Sequence, residues 1–230
     1  MEVRMIIVGI TSWKKRIDGC VETIKSLLDQ DYEDYSIELN LDYQNFPLGI
    51  MELPVSLLDL TENSKFKIKW IYQDLKCWQK IAPTIWRHRE ESYTLVTCDD
   101  DITYPRTYLS EIAENIKGND WMCTRWPDIT QGQYQVYGPR AIDALLHHVD
   151  LPLIRNCPLD DHPIYWIIKK YNLKRGAPIQ SVPVDRKEGY SFRRYFVDVD
   201  DPSQLKDSSC DYPIEQFKRE RAYMHSVGIC

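Results

Sequence analysis

Three consecutive aspartates, Asp99, Asp100 and Asp101, directly follow a run of apolar and β-branched residues at 93–98. Such a run predicts a buried β-strand. Carboxylates this close repel one another, and they need a positive counter-charge to remain ionised. Carboxylate oxygens suit hard divalent cations such as Mg²⁺ and Mn²⁺. Because open α/β sheets bind ligands beyond the carboxyl ends of their strands, the triplet predicts a metal-assisted site there.

The three aspartates are not expected to be equivalent. In extended backbone the side chains alternate between faces, so Asp99 and Asp101 should face the site and Asp100 should point away. One of the facing carboxylates could ligate a metal directly, and the other could reach it through water or hold a ribose hydroxyl. Such a metal would neutralise a departing diphosphate. The alternative is an acidic surface turn that caps the segment before Pro105.

Apolar periodicity predicts the elements that position this triplet. Strands are expected at 5–10, 37–42, 66–72, 93–98, 121–124, 134–137 and 179–184, and helices at about 18–28, 76–89, 105–117, 140–148 and 164–171. Residues 43–64 should form a loop with a short helix at 55–60, Pro83 should bend or restart its helix, and the end of the chain should be irregular. This order predicts an α/β fold, with a mostly parallel sheet flanked by helices. We expect a single domain over 1–230, with halves that meet near residue 120.

Composition narrows the class of protein. The 230 residues carry a net charge of −6 without a dominant basic run, which argues against a nucleic-acid partner. Seven cysteines without a CxxC pair predict reduced thiols and a cytoplasmic location. The apolar runs are shorter than the roughly 20 residues of a transmembrane helix. Peripheral membrane contact and the oligomeric state stay open.

Three segments together resemble a known family. They are Thr11–Ile17 after the first strand, Ser26–Gln30 at the end of the first helix, and Cys98–Pro105 around the triplet. In this combination they resemble small nucleotide-sugar-dependent glycosyltransferases of the GT-A fold, which carry a DxD motif and are similar to glycosyltransferase family 2. The resemblance covers roughly residues 5–110 and continues loosely to about 170. It implies a GT-A type, Rossmann-like fold and a hexosyltransferase-type enzyme.

The resemblance also implies substrates and residue roles. The enzyme would move a sugar from a nucleoside diphosphate sugar, by default a UDP-sugar, to an acceptor hydroxyl of a glycan with the help of Mn²⁺ or Mg²⁺. The residues expected to bind the nucleotide sugar are Thr11, Ser12, Arg16, Asp42, Lys76, Asp99 and Asp100, and the expected metal ligands are Asp101 and Asp99. Arg16 could instead form a structural ion pair. Lys80, in contrast to Lys76, is expected on a solvated helix face.

A second acidic pair, Asp160 and Asp161, precedes a predicted helix. The resemblance implies that one member is the general base that takes the proton of the acceptor hydroxyl. Asp161 is the first choice and Asp160 the second, while the alternative for either is to cap the helix. The resemblance also suggests Trp126 and Tyr137 as platforms for the acceptor sugar. Inverting and retaining chemistry both stay open.

Two other functions compete with glycosyl transfer. A sugar-phosphate nucleotidyltransferase would share a nucleotide-binding fold and a carboxylate-bound metal. It would normally have a glycine-rich loop after the first strand, where this chain has Thr11–Arg16. The second rival is a module that binds nucleotide sugars without turnover. The presence of two acidic groups argues against it.

Overall fold

The computed structural model describes residues 5–123, 134–177, 179 and 214–230. The described strands are β1 (Ile6–Thr11), β2 (Tyr35–Asp42), β3 (Phe66–Ile71), β4 (Thr94–Cys98), β5 (Trp121–Cys123) and β6 (Tyr134–Tyr137). They form one sheet in the order β3-β2-β1-β4-β6-β5. The first four strands are parallel, and β6 runs antiparallel to both of its neighbours. The predicted α/β class with a mostly parallel sheet is confirmed.

Helices cover both faces of this sheet. They are α1 (Ile17–Leu28), α2 (Val55–Asp59), α3 (Ala82–Arg87), α4 (Tyr108–Asn115), α5 (Pro139–Leu146), α6 (Leu151–Asn156), α7 (Asp161–Lys170) and α8 (Ile214–Ser226). Three 3₁₀ helices span Gly49–Glu52, Leu60–Glu62 and Lys76–Lys80. In the ranges that the structure describes, none of these helices has the length and apolar character needed to cross a bilayer.

The core has two parts, one on each side of the sheet. Alternation along β1 sends Ile6, Val8 and Ile10 to the face covered by α1 and α4, and Ile7 to the opposite face. Leu95 of β4 joins Ile7 under α3, α5 and α7. All of these side chains are fully buried, which explains why the strands read as nearly continuous apolar runs.

The strand order changes direction between β1 and β4. The chain moves from β1 outward to β2 and β3, then returns to pair β4 with the other edge of β1. Ile10 lies beside Cys98 in this pair, so the segments that follow the two strands leave the sheet next to each other. A crevice at such a switch point is the usual ligand site of open α/β sheets. It brings the Ser12–Arg16 loop beside the aspartate triplet.

Several predicted elements differ from the structure. The helix expected at 76–89 is a 3₁₀ helix followed by α3, with the restart at the position of Pro83. Helix α6 was not predicted, although Asp150 caps it by accepting a hydrogen bond from the Leu153 amide at 2.7 Å. The chain end was expected to be irregular, but it contains α8, which buries Met224 in the core. Of the strand expected at 179–184, residues 180–184 lie outside the described residues.

Gly9 lets the 3₁₀ helix approach the middle of the sheet. A β-carbon at this position would lie 2.1 Å from the backbone oxygen of Lys80, far closer than any real contact. Only a glycine in β1 therefore allows the Lys76–Lys80 segment to pack against the strand. This contact fixes the backbone from which the Lys80 side chain reaches the switch point.

We expect Gly9→Ala to lower the free energy of unfolding by about 3 kcal/mol, because the added methyl group displaces backbone rather than a flexible side chain. Gly19→Ala is the matched control, since a β-carbon at this exposed position of α1 meets nothing within 4 Å. It should raise the stability by about 0.5 kcal/mol through helix propensity. Urea unfolding of both variants measures the difference, and equal stabilities would refute the contact.

Candidate functional site

A cleft of about 450 Å³ opens at the carboxyl ends of β1 and β4. The predicted site residues that line it are Thr11, Ser12, Arg16, Lys76, Asp99 and Asp100. Trp13, within the Thr11–Arg16 loop that the resemblance places beside the nucleotide, lines it as well. Residues that the sequence did not suggest also line it, namely Asn45, Asp74, Cys77, Gln79 and Cys98, together with Lys80. The volume lies in the range of small-molecule sites.

Arg16 holds two of the three aspartates. Its guanidinium lies 2.6 Å from a carboxylate oxygen of Asp100 and 2.6 Å from one of Asp101. The predicted alternation of the triplet is wrong, because β4 ends at Cys98 and the chain turns at Asp100 and Asp101. Asp100 therefore does not point away from the site, and it shares one cation with Asp101.

Asp100 anchors the loop after β1 to the triplet. Its second carboxylate oxygen accepts a hydrogen bond from the Ser12 hydroxyl at 2.6 Å, and its backbone oxygen accepts one from Thr23 at 2.9 Å. Burial raises the pKa of Asp100, whereas the Ser12 hydrogen bond and the Arg16 charge oppose the shift. Asp100 thus positions Ser12 and Arg16 at the mouth of the cleft.

Lys80 connects the triplet with the second acidic pair. Its ammonium nitrogen lies 3.3 Å from Asp99 Oδ1 and 3.9 Å from Asp160 Oδ2, and the side chain is only 14% exposed. Burial opposes the charged form, but the surrounding carboxylates still raise the pKa of Lys80 well above its ordinary value. The expectation of a solvated Lys80 is therefore wrong, because the Gly9 contact directs this residue inward.

Asp99 is the other partner of this cation. Burial raises the pKa of Asp99, and the Lys80 charge works in the opposite direction. Its backbone amide donates a hydrogen bond to the Tyr104 hydroxyl at 2.9 Å, which fixes the end of β4. The side chains of Asp99 and Asp101 are 37% and 53% exposed. Asp99 lines the cleft, whereas Asp101 is not among its lining residues and lies against Arg16, which is.

The second acidic pair begins α7. Asp160 is 3% exposed, and within the described part of the chain its Oδ2 has no hydrogen-bond partner and its side chain does not cap the helix. Asp161 accepts a hydrogen bond from Gln135 Nε2 at 2.6 Å, and the Tyr137 hydroxyl contacts the same amide. Burial, followed by the nearby Asp160 charge, raises the pKa of Asp161 well above its ordinary value. Asp161 is thus a carboxyl with unusually high proton affinity, held by an oriented amide.

Asp42 ends β2 as predicted, but it is not among the residues that line the cleft. It is fully buried, and its oxygens accept hydrogen bonds from the Gln44 amide, the Asn45 amide and the Asn45 side chain. The distances from Asn45 are 2.8 Å for both donors. Asp42 shapes the turn after β2 so that Asn45, and not Asp42, lines the cleft.

Lys76 lines the cleft as predicted. Its ammonium pairs with Asp74, and this hydrogen bond, together with the charge of the carboxylate, raises the pKa of Lys76. The Lys76 amide donates to the same carboxylate at 2.8 Å. The backbone of Lys76 has a φ of 55°, a conformation that favours glycine. Strain of this kind persists where the surroundings impose it, often at ligand sites.

The suggested sugar platforms find no support. Tyr137 is fully buried in the core, so its ring offers no surface to a ligand. Trp126 lies outside the described residues. Among the residues that are described, no group of three metal-ligating side chains converges.

No model of a protein family matches the sequence, and no curated protein matches it. Several solved structures share its fold. S. aureus TarS 1-349 has a TM-score of 0.53 at 10% identity, over 78% of this chain and 58% of that one. The mannosyltransferase PcManGT from Pyrobaculum calidifontis, in complex with GDP-Man and Mn²⁺, has a TM-score of 0.56 at 12% identity, over 83% and 59%. A 4-diphosphocytidyl-2C-methyl-D-erythritol synthase from Anaerococcus prevotii has a TM-score of 0.51 at 11% identity, over 78% and 91%.

These matches confirm the predicted fold, that of GT-A type nucleotide-diphospho-sugar transferases. At 10% and 12% identity the likeness concerns the fold alone. The chain spans 58% and 59% of the length of the first two proteins.

Replacement of Lys80 tests its shared ion pairs. In Lys80→Met the pKa values of Asp99 and Asp161 should rise further, because Lys80 lowers both. A carboxyl whose folded pKa is raised loses stability as the pH rises from its unfolded pKa towards the folded one. We therefore expect a loss of about 3 kcal/mol at about pH 7.5 and a much smaller loss at about pH 4.5, where the carboxyls bind protons.

Urea unfolding at the two pH values measures this difference. Lys67→Met is the matched control, because Lys67 is exposed on edge strand β3, and it should change the stability little at either pH. A loss in Lys80→Met that does not vary with pH would contradict the role of the charge.

Proposed function

We propose that this protein is a metal-dependent glycosyltransferase. It moves a sugar from a nucleoside diphosphate sugar, by default a UDP-sugar, to an acceptor hydroxyl of a glycan. The observation that carries the proposal is the arrangement around Lys80, which joins cleft carboxylate Asp99 to the buried pair Asp160 and Asp161. Two solved structures with this fold are complexes of those proteins with UDP-GlcNAc and with GDP-Man, which supports a nucleotide-sugar donor.

The donor would occupy the cleft between β1 and β4. Arg16 and Ser12, held by Asp100, border this space, and the half-exposed Trp13 ring offers a stacking surface for a base. Lys76 stands at the same cleft and would add positive charge near a diphosphate.

Asp99 and Asp101 would hold Mn²⁺ or Mg²⁺. Mg²⁺ usually binds one or two carboxylates and takes its other ligands from water and substrate phosphates. The exposed carboxylates of Asp99, in the cleft, and of Asp101, beside the cleft residue Arg16, fit this requirement. Arg16 would have to release Asp101. When bound, the metal supplies Lewis-acid stabilisation of the departing diphosphate.

Asp161 would take the proton of the acceptor hydroxyl, with Asp160 as the alternative base. A general base works best when its pKa lies near the working pH, and burial moves the pKa of Asp161 in that direction. The hydrogen bond from Gln135 Nε2 to Asp161 Oδ1 fixes the orientation of this carboxyl group. Within this proposal, Asp160 would raise the basicity of its neighbour through charge repulsion.

A nucleotidyltransferase is the second candidate. It is favoured by the match to the Anaerococcus synthase, of which this chain covers 91%. Incubation with nucleoside triphosphates and sugar phosphates separates the two functions. Pyrophosphate release would favour the second candidate, whereas release of nucleoside diphosphate from a nucleotide sugar would favour the first. Tight donor binding without either product would indicate a binding module.

The metal assignment predicts a loss of donor turnover in Asp101→Asn. With a panel of nucleotide sugars and Mn²⁺, wild-type protein should release nucleoside diphosphate, and chelation with EDTA should abolish the release. Asp101→Asn should lower the rate by about 100-fold, because it removes a charged ligand but keeps the side-chain shape. Asp18→Asn, at an exposed position of α1, is the control. An unchanged rate in Asp101→Asn would remove this residue from the metal site.

The assignment of the base predicts both a rate and a pH profile. Asp161→Asn should bind the donor normally and transfer sugar at least about 100-fold more slowly. The base must be ionised, so kcat/KM of wild-type protein should rise with pH through a pKa above the ordinary aspartate value of about 3.9. In Lys80→Met this acid limb should move to higher pH, because Lys80 lowers the pKa of Asp161. Transfer that survives in Asp161→Asn but fails in Asp160→Asn would assign the base to Asp160.

A further inference from the structure

Exposed apolar side chains are concentrated in one part of the surface. Seven of the nine large apolar or aromatic side chains that are exposed in the described ranges lie within residues 13–72. Three of them lie in or next to the 3₁₀ helix Gly49–Glu52, namely Leu48, Ile50 and Met51, and they are 67%, 56% and 83% exposed. We call these three residues the apolar tip. Contiguous exposed apolar surface marks a contact site for another protein or for a membrane.

Local contacts hold the apolar tip in one conformation. Gly49 has a φ of 60°, in the left-handed region that favours glycine, and it turns the chain within the tip. Glu52 closes this turn, because its Oε2 accepts a hydrogen bond from the Leu48 amide at 2.7 Å. The buried side chains of Phe46 and Leu53 anchor the segment on both sides. The exposed apolar side chains therefore belong to an ordered turn.

Aromatic rings stand beside the apolar tip. The Tyr43 ring packs against Gly49, since a β-carbon at that glycine would lie 3.4 Å from Tyr43 Cε1. The same ring stacks on Trp70, with ring centres 5.0 Å apart, and its centre lies 5.8 Å from that of Tyr72. Tyr43 is 41% exposed and Tyr72 is 85% exposed. Tyrosine rings of this kind, with an apolar body and a polar end, are enriched where a protein meets the membrane–water interface.

The charges around the apolar tip favour an anionic partner. Within residues 43–58 the only charged residue is Glu52, which pairs with Lys14 and has a side chain that is 11% exposed. The neighbouring Lys15 is exposed, and its ammonium lies 5.4 Å from the centre of the Trp13 ring. In the part of the chain that the structure describes, Lys15 belongs to no ion pair, whereas Lys14 does. A neutralised carboxylate next to a lysine that keeps its charge makes this side of the tip positive.

We propose that the apolar tip inserts into the headgroup region of an anionic lipid bilayer, with Tyr43 and Tyr72 at the membrane–water interface and Lys15 against the lipid headgroups. Interfacial binding of this kind combines the burial of apolar side chains with attraction to anionic lipids. A second copy of the chain suits the tip less well, because a two-fold interface would bring its positive side against itself.

This binding would place the candidate donor cleft beside the membrane. Trp13 and Asn45 line the cleft, and each stands close to the tip, Trp13 next to Lys14 with its Glu52 pair and Asn45 three residues before Leu48. The inference goes beyond the proposed function and does not depend on it, since a membrane contact of the tip requires neither a donor nor a metal.

Sedimentation with lipid vesicles tests the membrane contact. Wild-type protein at low salt should partition about fivefold more strongly onto vesicles of phosphatidylcholine mixed with phosphatidylserine than onto vesicles of phosphatidylcholine alone. This factor corresponds to about 1 kcal/mol for a lysine at an anionic surface. Added salt should reduce the difference, because it screens exposed charges. Absence of binding to the mixed vesicles, or equal partition onto both kinds of vesicle, would overturn the proposal.

Two variants locate the contact. Ile50→Ser combined with Met51→Ser should weaken partition onto the mixed vesicles by about tenfold or more, because two apolar side chains no longer leave water. Lys15→Glu should weaken it by about tenfold, since repulsion replaces attraction, and should change partition onto phosphatidylcholine much less. Wild-type partition of the double variant would overturn the assignment of the tip.

Each variant has a matched control away from the tip. Val227→Ser removes an exposed apolar side chain just beyond α8, and Lys67→Glu reverses an exposed charge near the amino end of β3. Both should partition like wild-type protein, and a control that loses binding as strongly as its tip variant would overturn the location. All of these positions are exposed, so urea unfolding should give wild-type midpoints and exclude loss of the fold as the cause.

Light scattering without lipid tests the other occupant of the tip. Wild-type protein and the Ile50→Ser, Met51→Ser double variant should have the same oligomeric state. A dimer that forms in wild-type protein and is lost in the double variant would assign the tip to a second copy and overturn the proposal. Vesicle binding is measured without a nucleotide sugar, so its failure and a failure of donor turnover are distinguished by separate experiments.

Discussion

The buried ammonium of Lys80 is the interaction on which the site depends. The loops at the carboxyl ends of the strands bring Asp99, Asp160 and Asp161 together, and such a group of carboxylates is unstable without a cation. Burial of a lysine is itself costly, and only close carboxylate partners offset the cost. Lys80 meets this condition because Asp99 lies at 3.3 Å and Asp160 at 3.9 Å. The Lys80 ammonium therefore joins the aspartate triplet to the pair Asp160 and Asp161, and its removal would leave carboxylates of both groups without this counter-charge.

The three aspartates of the triplet pair with two different cations. This pairing distinguishes the aspartate that fixes a loop from the two that remain partly exposed. Arg16 pairs with Asp100 and Asp101, whereas Lys80 pairs with Asp99. Asp100 is buried and bonded to Ser12, so it serves mainly to fix the loop after β1. The side chains of Asp99 and Asp101 both stay partly exposed, and Asp99 lines the cleft. The positive counter-charge that we expected beside the triplet is supplied, among the described residues, by Arg16 and Lys80.

The apolar periodicity of the sequence was sufficient to predict the sheet. It was not sufficient to predict the side-chain contacts within the candidate site. The first four strands follow from buried apolar runs, and the position of the triplet at a switch point follows from their order. The direction of Asp100 could not be predicted by alternation, because alternation ends where β4 ends. The role of Lys80 depends on a contact with Gly9 across 71 positions, and a helical pattern at 76–89 carries no sign of it. The glycine inside an otherwise apolar strand was the available signal, since it often marks a close backbone approach. The hydrogen bonds by which Asp42 caps the next turn could not be predicted either, because a capping aspartate and a ligand-binding one have the same side chain.

Lys80 also couples the two chemical tasks of the proposed enzyme. The same ammonium that opposes the effect of burial on the pKa of Asp99 also lowers the pKa of Asp161, and it thereby limits the strength of the proposed base. Charge that a donor and its metal bring to the cleft would act on the same ammonium, because Lys80 lines that cleft. Net negative charge there would raise the affinity of Asp161 for a proton, and net positive charge would lower it. The strength of the proposed base therefore depends on the combined charge of the donor and its metal, because both groups share a single buried cation.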